Sequence, residues 1–334
     1  MTTAEPATEG AYADAQRQLQ DLRTLLGGVI VGQGELVTHL VTAVFAGGHV
    51  LIEGLPGLGK THLAKALAAA LGLRWARVQC TPDLMPADVT GAEIYVSSAG
   101  GASSFEFRPG PVFAQLVLVD EINRATPRTQ SALLEAMQER QVTHAGTTHG
   151  LPSPFCVLAT QNPIELEGTY PLPEAQLDRF MFKLGVPFPQ RASLREMLEV
   201  SLDGEPADRL RAIAGPADVL RIAALCRTLL LGERCKDAAV DLIVATQPAA
   251  EGAASDARRH IRYGASPRAL QAVVRAARVR ALMAGRPQVD VDDLAAVALP
   301  VLRHRVLLRL ESELEGVDAD SVLASVIDGW RSRL

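Results

Sequence analysis

The segment Gly54–Thr61 has the residue types and spacing of a loop that binds phosphates. It follows an apolar run, His49–Ile52, and precedes a helix-forming segment that begins near His62. The glycines let backbone N–H groups curl around phosphates, Lys60 can reach the β- and γ-phosphates, and the Thr61 hydroxyl can ligate Mg²⁺. We therefore predict a nucleoside triphosphate site. Its residues are Gly54, Pro56, Gly57, Leu58, Gly59, Lys60, Thr61 and His62.

Two adjacent acids end the apolar run Leu116–Val119. Buried carboxylates are costly without partners, so acids at the end of a buried strand indicate a function. Beside a phosphate loop, Asp120 can hold Mg²⁺ through water, and Glu121 can orient and activate the attacking water. The alternative is structural: the two acids begin the next helix, because negative charge is favourable at a helix N-terminus.

A third polar group follows the apolar run Cys156–Ala159. Asn162 is placed to hydrogen-bond the γ-phosphate or the attacking water, and Thr160 and Gln161 are alternates for that role. Because Asn162 precedes Pro163, a simple turn is the competing interpretation.

The elements that would position these side chains form an α/β pattern. Short apolar runs alternate with helical segments, which predicts a parallel five-stranded sheet covered by helices on both faces. The clearest helix is Pro127–Glu139, where Leu133, Leu134 and Met137 fall at helical spacing. The predicted strands are Val50–Glu53, Trp75–Gln79, Leu116–Asp120, Cys156–Thr160 and Met181–Val186.

Two predicted β-hairpins interrupt this pattern. In the first, at about residues 91–108, the runs Glu93–Ser97 and Ser103–Phe107 flank a Gly-Gly turn. The second spans about residues 141–151 around Ala145-Gly146. An ordinary surface hairpin is the competing interpretation of each.

The pattern becomes entirely helical after the segment Pro187–Arg191. Pro216, Ser266-Pro267 and Asp290 are helix-start signals, and we predict no strand in this part of the chain. The predicted organisation is a flexible N-terminal tail at residues 1–15, an α/β domain at residues 16–188 and an all-α domain at residues 191–334.

Composition limits the class of protein. The 334-residue chain has a net charge of −5, which does not favour nucleic acid or an anionic membrane as a partner. Its four cysteines include no Cys-x-x-Cys pair, which argues against a metal site built from cysteines and fits reduced thiols. The N-terminus lacks the features of a signal peptide, and no apolar run approaches the roughly 18 residues of a membrane span. We expect a cytoplasmic protein.

The order of these motifs resembles that of the AAA+ ATPases: phosphate loop, Asp-Glu strand, a strand followed by Asn162, and then Arg179 and Arg268. More narrowly, several stretches are similar to the MoxR family over roughly Gln18–Leu310, and they are specific because widely separated motifs agree in order. They are Gly48–Gly54, Asp120–Ala125, Thr160–Pro163, Leu172–Phe180 and Pro300–Arg305. The resemblance implies a AAA+ phosphate-loop core with a C-terminal all-α lid domain. One departure is His62, where the family more often has an apolar residue.

The resemblance also implies roles for single residues. Lys60 and Thr61 match the Walker A pair, the Asp-Glu pair matches Walker B, and Asn162 matches sensor 1. The segment of the family that contacts adenine begins at Val31, Gly32 and Gln33.

Two arginines complete the resemblance. Arg179 matches the arginine finger, which in AAA+ rings acts on ATP bound by the neighbouring subunit, and Arg268 matches the sensor 2 arginine, which reaches from the lid to the phosphates. A guanidinium fork can stabilise the charge that spreads over the γ-oxygens during phosphoryl transfer. The competing interpretations are a surface salt bridge from Arg179 to Asp178 or Glu174 and an exposed first-turn position for Arg268.

The function that the resemblance implies is an ATPase that uses Mg²⁺ and assembles into a homo-oligomeric, hexameric ring. Such rings remodel or mature a client protein, or insert a metal or cofactor into it, typically with a partner that contains a von Willebrand factor A domain. The ATPase subunit of magnesium chelatase, a related AAA+ motor, is the nearest enzymatic alternative.

Two other classes of function compete with this one. A nucleic-acid translocase is one, but the predicted hairpin tip Val142–His149 has no lysine or arginine to contact phosphates, so we expect no nucleic-acid partner. A nucleotide-gated scaffold without hydrolysis is the other, and the presence of Glu121 and both arginines argues against it.

Overall fold

The computed structural model describes residues 9–30, 32–55, 57, 59–97, 103–164, 168–195 and 210–334. In chain order the strands are β1 (Val50–Glu53), β2 (Trp75–Gln79), β3 (Gly91–Ser97), β4 (Ser103–Pro109), β5 (Leu116–Asp120), β6 (Gln141–His144), β7 (Thr147–Gly150), β8 (Cys156–Gln161), β9 (Phe182–Gly185), β10 (Ile261–Tyr263) and β11 (Leu307–Leu308). The helices are α1 (Glu9–Val29), α2 (Gly34–Ala46), α3 (Lys60–Ala70), α4 (Pro86–Thr90), α5 (Pro127–Glu139), α6 (Glu174–Leu177), α7 (Pro216–Thr228), α8 (Glu233–Ala245), α9 (Ser255–His260), α10 (Pro267–Met283), α11 (Val291–Leu302), α12 (Leu310–Leu314) and α13 (Ala319–Arg331).

The predicted five-stranded sheet is confirmed, with the order β2-β5-β8-β1-β9 and every adjacent pair parallel. Within it, Val50 of β1 pairs with Leu158 on one side and Phe182 on the other. Because all five strands run in one direction, their carboxyl ends meet at one edge. The residues that follow β1, β5 and β8 are therefore brought together there.

Both faces of the sheet are covered, as expected from its continuous apolar strands. Alternate residues of β1 enter different cores: Val50 and Ile52 join the larger one, and Leu51 joins the smaller. Leu118 and Val119 of β5 divide in the same way. This period-two division follows from the pleat of the strand.

The two predicted hairpins are present as antiparallel pairs, β3 with β4 and β6 with β7. The Gly-Gly turn at residues 98–102 lies outside the described residues. Phe107 of β4 stacks on His149 of β7 with ring centroids 4.0 Å apart, so the two hairpins contact each other. Tyr95 and Phe105 form an edge-to-face pair and are 63% and 69% exposed.

The C-terminal region is helical with one exception. Pro216 and Pro267 begin α7 and α10, and Asp290 caps α11, as the sequence signals indicate. However, β10 and β11 pair antiparallel, so the prediction of no strand beyond Arg191 is wrong. These strands are three and two residues long and leave no readable alternation in the sequence.

The N-terminal helix also corrects the sequence-based expectation. Helix α1 begins at Glu9, so the prediction of a flexible tail is wrong for residues 9–15, and residues 1–8 lie outside the described part. Ala15, Leu19, Leu22 and Leu26 recur at helical spacing and are buried, and α1 and α2 both pack against α10. The domain boundary at Pro187–Arg191 stays a prediction. Within the described residues, no helix is long and apolar enough to cross a membrane.

Candidate active site

A cavity of about 610 Å³ lies at the edge of the sheet where the carboxyl ends of the strands meet. We call it the Lys60 cavity. The predicted site residues that line it are Gly57, Gly59, Lys60, Thr61, His62, Asp120, Glu121 and Asn162. The sequence therefore located one site from three separate motifs.

The phosphate loop joins β1 to α3, and its backbone takes conformations that favour glycine. Gly57 has a φ of 81° and Gly59 a φ of 76°, both in the left-handed region. Helix α3 begins at Lys60, so its free N–H groups lie at the cavity. The Lys60 ammonium donates to the carbonyl of Gly54, and burial lowers its pKa although Asp120 and Glu121 oppose that change. Pro56 and Leu58 lie outside the described residues.

The two acids are held by a small polar network. Asp120 is 7% exposed; its Oδ2 accepts from Arg77 Nε at 2.7 Å, and its Oδ1 accepts from Thr160 Oγ1 at 3.3 Å. The Glu121 N–H donates to the same Thr160 hydroxyl at 2.9 Å. The Glu121 carboxylate accepts from Arg124 at 3.2 Å and from Gln79 at 3.3 Å. Both carboxylate oxygens of Asp120, and Oε2 of Glu121, therefore accept hydrogen bonds from neighbouring side chains.

Glu121 has an unusual backbone. Its φ of 56° and ψ of 53° put a non-glycine residue in the left-handed region, which costs on the order of 1–3 kcal/mol. A 3₁₀ turn, Ile122–Arg124, follows it rather than an α-helix. The alternative that the acids simply begin a regular helix therefore does not describe this segment.

Sequence reasoning missed the contribution of β2. Arg77 and Gln79 line the Lys60 cavity, as do Trp75 and Lys65. Gln79 is in register with Asp120 across β2 and β5, and Arg77 lies two residues earlier on the same face. The sequence signal that could have identified Arg77 and Gln79 is their polar character at alternate positions near the end of a strand.

Among the three candidates after β8, Thr160 and Asn162 line the cavity. Thr160 is committed to holding the two acids, whereas Asn162 Oδ1 accepts from the N–H of Ile164 at 3.2 Å. Asn162 is 5% exposed. Asn162 therefore both stabilises a turn and lines the cavity. Its role toward the γ-phosphate stays a prediction.

Arg179 and Arg268 lie elsewhere, in a second cavity of about 270 Å³ that shares no lining residue with the Lys60 cavity. We call it the Asp178 cavity. Asp178 accepts from Arg305 Nε at 2.7 Å and from Ser266 Oγ at 3.2 Å, and Arg268 lies 3.7 Å away. Within the described residues, Arg179 forms no salt bridge, and its buried Nε has no hydrogen-bond partner.

The position of Arg268 differs from the expectation that it closes over the phosphate loop of its own chain. It lies in the first turn of α10, and α10 is held by α1 and α2. Ser266, just before that helix, is bonded to Asp178. This packing directs the start of α10 to the Asp178 cavity, with the Arg268 side chain 54% exposed.

The predicted adenine segment is only partly described. Gln33 precedes the first residue of α2, and neither Gly32 nor Gln33 lines the Lys60 cavity. Gly32 has a φ of 74°, and a Cβ there would lie 2.3 Å from Ser193 Oγ. Val31 lies outside the described residues. The contact with adenine stays a prediction.

The Lys60 cavity fits a nucleotide with its metal ion. Its volume lies in the range of ligand pockets, roughly 300–1,000 Å³. The Thr61 hydroxyl and the Asp120 carboxylate are hard oxygen donors of the kind that Mg²⁺ prefers. No group of three or more acidic, histidine or cysteine side chains that could hold a metal occurs in the described part of the chain. Phosphate oxygens would have to supply further ligands, as is usual for Mg²⁺ at a nucleotide.

Comparisons with known proteins agree with this geometry. The model of the "ATPase family associated with various cellular activities (AAA)" matches residues 49–182, and that of the "AAA lid domain" matches residues 253–326. Chaperone MoxR1 of Mycobacterium tuberculosis is 38% identical over 97% of this chain and 86% of that protein. Protein MoxR of Methylorubrum extorquens is 36% identical over 84% of each. A crystal structure from Cytophaga hutchinsonii, described as an ATPase candidate, has a TM-score of 0.89 and 38% identity over 96% of both chains.

Proposed function

The chain belongs to the MoxR family of AAA+ ATPases, and from that premise we propose that it hydrolyses Mg-ATP as a closed, hexameric ring of identical subunits. The observation that carries the proposal is the separation of the two cavities. Lys60 and the acids line one, whereas Arg179 and Arg268 line another that shares none of those residues. In a head-to-tail ring, the Asp178 cavity of one subunit faces the Lys60 cavity of the next.

Each side chain then has a defined role. Lys60 binds the β- and γ-phosphates, and Thr61 and Asp120 are the residues that would hold Mg²⁺, which when bound would supply positive charge beside those phosphates. Glu121 accepts a proton from the attacking water, and Asn162 orients that water. The strained backbone of Glu121 and its bonds to Gln79 and Arg124 keep its carboxylate at the cavity.

The arginines act across the interface. Charge spreads over the γ-oxygens in the transition state, and a guanidinium supplied by a neighbour accelerates such reactions by about 10³–10⁵ in other enzymes. Arg179 carries a buried Nε without a hydrogen-bond partner, and Arg268 is 54% exposed and lies 3.7 Å from Asp178. An anion that the neighbouring subunit brings can therefore bind Arg179 and compete with Asp178 for Arg268.

The work that hydrolysis performs is remodelling of a client protein, including its maturation or the insertion of a metal or cofactor. The chaperone name of the M. tuberculosis relative supports this class of function. The exposed rings of Tyr95 and Phe105 on the first hairpin offer an apolar contact for a client, and the second hairpin contacts the first through Phe107. A partner with a von Willebrand factor A domain follows from the family resemblance.

Mixing inactive variants tests the ring directly. Arg179→Ala subunits keep an intact phosphate loop, and Lys60→Ala subunits keep intact arginines. We expect each variant alone to lose about 10³-fold or more in kcat. In an equal random mixture, about a quarter of the interfaces combine an intact loop with an intact arginine, so ATPase activity should return.

The same mixture with Arg268→Ala in place of Arg179→Ala distinguishes its two possible positions. Activity returns if Arg268 acts on the neighbour, and it does not return if Arg268 acts on its own loop. Full activity of Arg179→Ala alone would show that the arginine finger is assigned wrongly.

A further inference from the structure

A third cavity, of about 340 Å³, lies at the opposite edge of the sheet from Lys60. We call it the basal cavity. Gln115 and Cys156, at the amino ends of β5 and β8, form part of its floor, and helices α7 and α10 form part of its wall. Its charged lining consists of Arg140, Arg227, Arg275 and Arg278.

The positive charge of the basal cavity has no counter-ion in the described part of the chain. No aspartate or glutamate lines it. None of its four arginines forms a salt bridge with a described residue, although the same structure pairs Arg286, Arg303 and Arg305 with aspartates. The whole chain has a net charge of −5, so four unpaired cations around one cavity do not simply reflect composition.

Two features of these arginines are unfavourable without a bound anion. Burial lowers the pKa of Arg275, and the positive charge of Arg140 lowers it further. The Nε of Arg278 is buried and has no hydrogen-bond partner. Like charges close together and an unpaired buried donor both destabilise the folded chain. A bound anion would relieve both effects.

Backbone contacts hold two of these side chains at the cavity. Arg140 ends helix α5 and donates through Nη2 to the carbonyl of Gly47 at 2.9 Å. Arg227 donates through Nε to the carbonyl of Ala223 at 3.3 Å. Each of these arginines keeps further N–H groups for a ligand, because a guanidinium has five. Contacts within the chain therefore orient two of the four guanidinium groups.

We propose that the basal cavity binds a small anion that carries phosphate groups, at a site apart from the Lys60 cavity. It adjoins the Asp178 cavity, with which it shares Gly47, Arg140 and Arg275, whereas Arg227 and Arg278 line the basal cavity and not the Asp178 cavity. The planar fork of arginine matches two phosphate oxygens at once, and several forks around one cavity favour a polyphosphate over a single carboxylate. Buried apolar side chains, among them Phe45 and Phe155, line part of the cavity, whereas Arg140, Arg227 and Arg275 are exposed and accessible to an anion from solvent. Hydrogen bonds from a guanidinium to a phosphate are charge-assisted and stronger than those between neutral groups.

Inorganic pyrophosphate is the probe that tests this site. The experiment uses the full chain with Lys60→Ala, which weakens phosphate binding at the active site, and measures binding by isothermal titration calorimetry. We expect one pyrophosphate per chain. Combining Arg227→Gln with Arg278→Gln, two residues that do not line the Asp178 cavity, should weaken binding at least tenfold in this background. Arg262→Gln, an exposed lid arginine outside the basal cavity, should not change it.

Thermal unfolding without ligand provides the folding control. Because the substituted arginines form no salt bridge with a described residue, the double variant should unfold at about the same temperature as its parent, while pyrophosphate should stabilise only the parent. Sedimentation tests the remaining explanation, which is that the arginines contact an acidic side chain of another copy of the chain. If pyrophosphate does not bind the parent, or if the arginine variants bind it equally well, the proposal is wrong. If the variants change only the oligomeric mass, the cavity holds an acidic side chain of another copy, and the proposal is wrong as well.

Discussion

The Lys60 cavity and the Asp178 cavity differ in the chemical groups that they present. The Lys60 cavity combines a phosphate loop, two carboxylates and the amide of Asn162. The Asp178 cavity presents guanidinium groups and contains no part of the phosphate loop. Neither cavity alone has the full set that phosphoryl transfer uses, which is why the proposed ring joins them.

The two cavities also differ in how their charged groups are held. In the Lys60 cavity, the partner of Asp120 is Arg77, whose side chain is 48% exposed and can move when a ligand enters. In the Asp178 cavity, Arg305 is 3% exposed and bonds both Asp178 and the carbonyls of Met181, Val301 and Phe180. We infer that Asp120 in the Lys60 cavity can exchange Arg77 for a ligand. The ion pair between Asp178 and Arg305, in contrast, stays in place.

Of the three predictions that compare the two cavities, Glu121→Gln should have the largest effect. This substitution changes the Lys60 cavity alone. The amide keeps the shape of the side chain but cannot accept a proton from water, so kcat should fall by about 10²- to 10⁴-fold. The affinity for ATP, measured with a fluorescent analogue, should change little because the phosphate loop is intact. Glu139→Gln, at the exposed end of α5, is the matched control and should retain full activity. Unchanged turnover in Glu121→Gln would exclude Glu121 as the base.

Asp178→Asn should have the next effect, on stability. It leaves the buried guanidinium of Arg305 without its carboxylate, and breaking a buried ion pair in this way costs about 3 kcal/mol of the free energy of unfolding. Urea denaturation measures that loss. The matched control is Asp292→Asn, whose partner Arg331 is 58% exposed and whose loss should cost less than about 1 kcal/mol. Equal losses in the two variants would show that the Asp178 cavity is not specially fixed.

Much of the Lys60 cavity could be predicted because its signals are local. The bounds of β1, β2 and β5 agree with the apolar runs, and the motifs at their ends can be read from adjacent residues. Parallel strands then place those ends at one edge without further information. Arg77 was missed because an arginine in an edge strand is ordinary on the surface, and only the register with β5 brings it to Asp120.

The position of Arg268 could not be predicted in the same way. A helix-start signal identifies where α10 begins, but the direction of that helix depends on α1 and α2, which precede it by more than 200 residues in the chain. The lid strands β10 and β11 were missed for a related reason. Each is stabilised by a partner far along the chain rather than by its own pattern.

The smallest predicted effect is on the pH dependence of the free energy of unfolding, and it concerns the Asp178 cavity. His49 lines the Asp178 cavity and is buried, with Nδ1 accepting from the N–H of Val157 and Nε2 facing the carbonyl of Met137. Burial, with a smaller contribution from Arg140 and Arg275, lowers its pKa to about 4. The nearby His304 also has a lowered pKa, because it is buried beside Arg305.

The direction of the pH effect follows from which state binds more protons. Below about pH 6.5 an unfolded chain protonates His49, whereas the folded chain does not until about pH 4, so acidification favours unfolding across that range. Between pH 7 and pH 5 the loss due to His49 is about 2 kcal/mol, and above pH 7 it vanishes. His49→Gln, which can keep both hydrogen bonds, should flatten the dependence of the free energy of unfolding on pH. Equal slopes in wild type and His49→Gln would contradict the assignment.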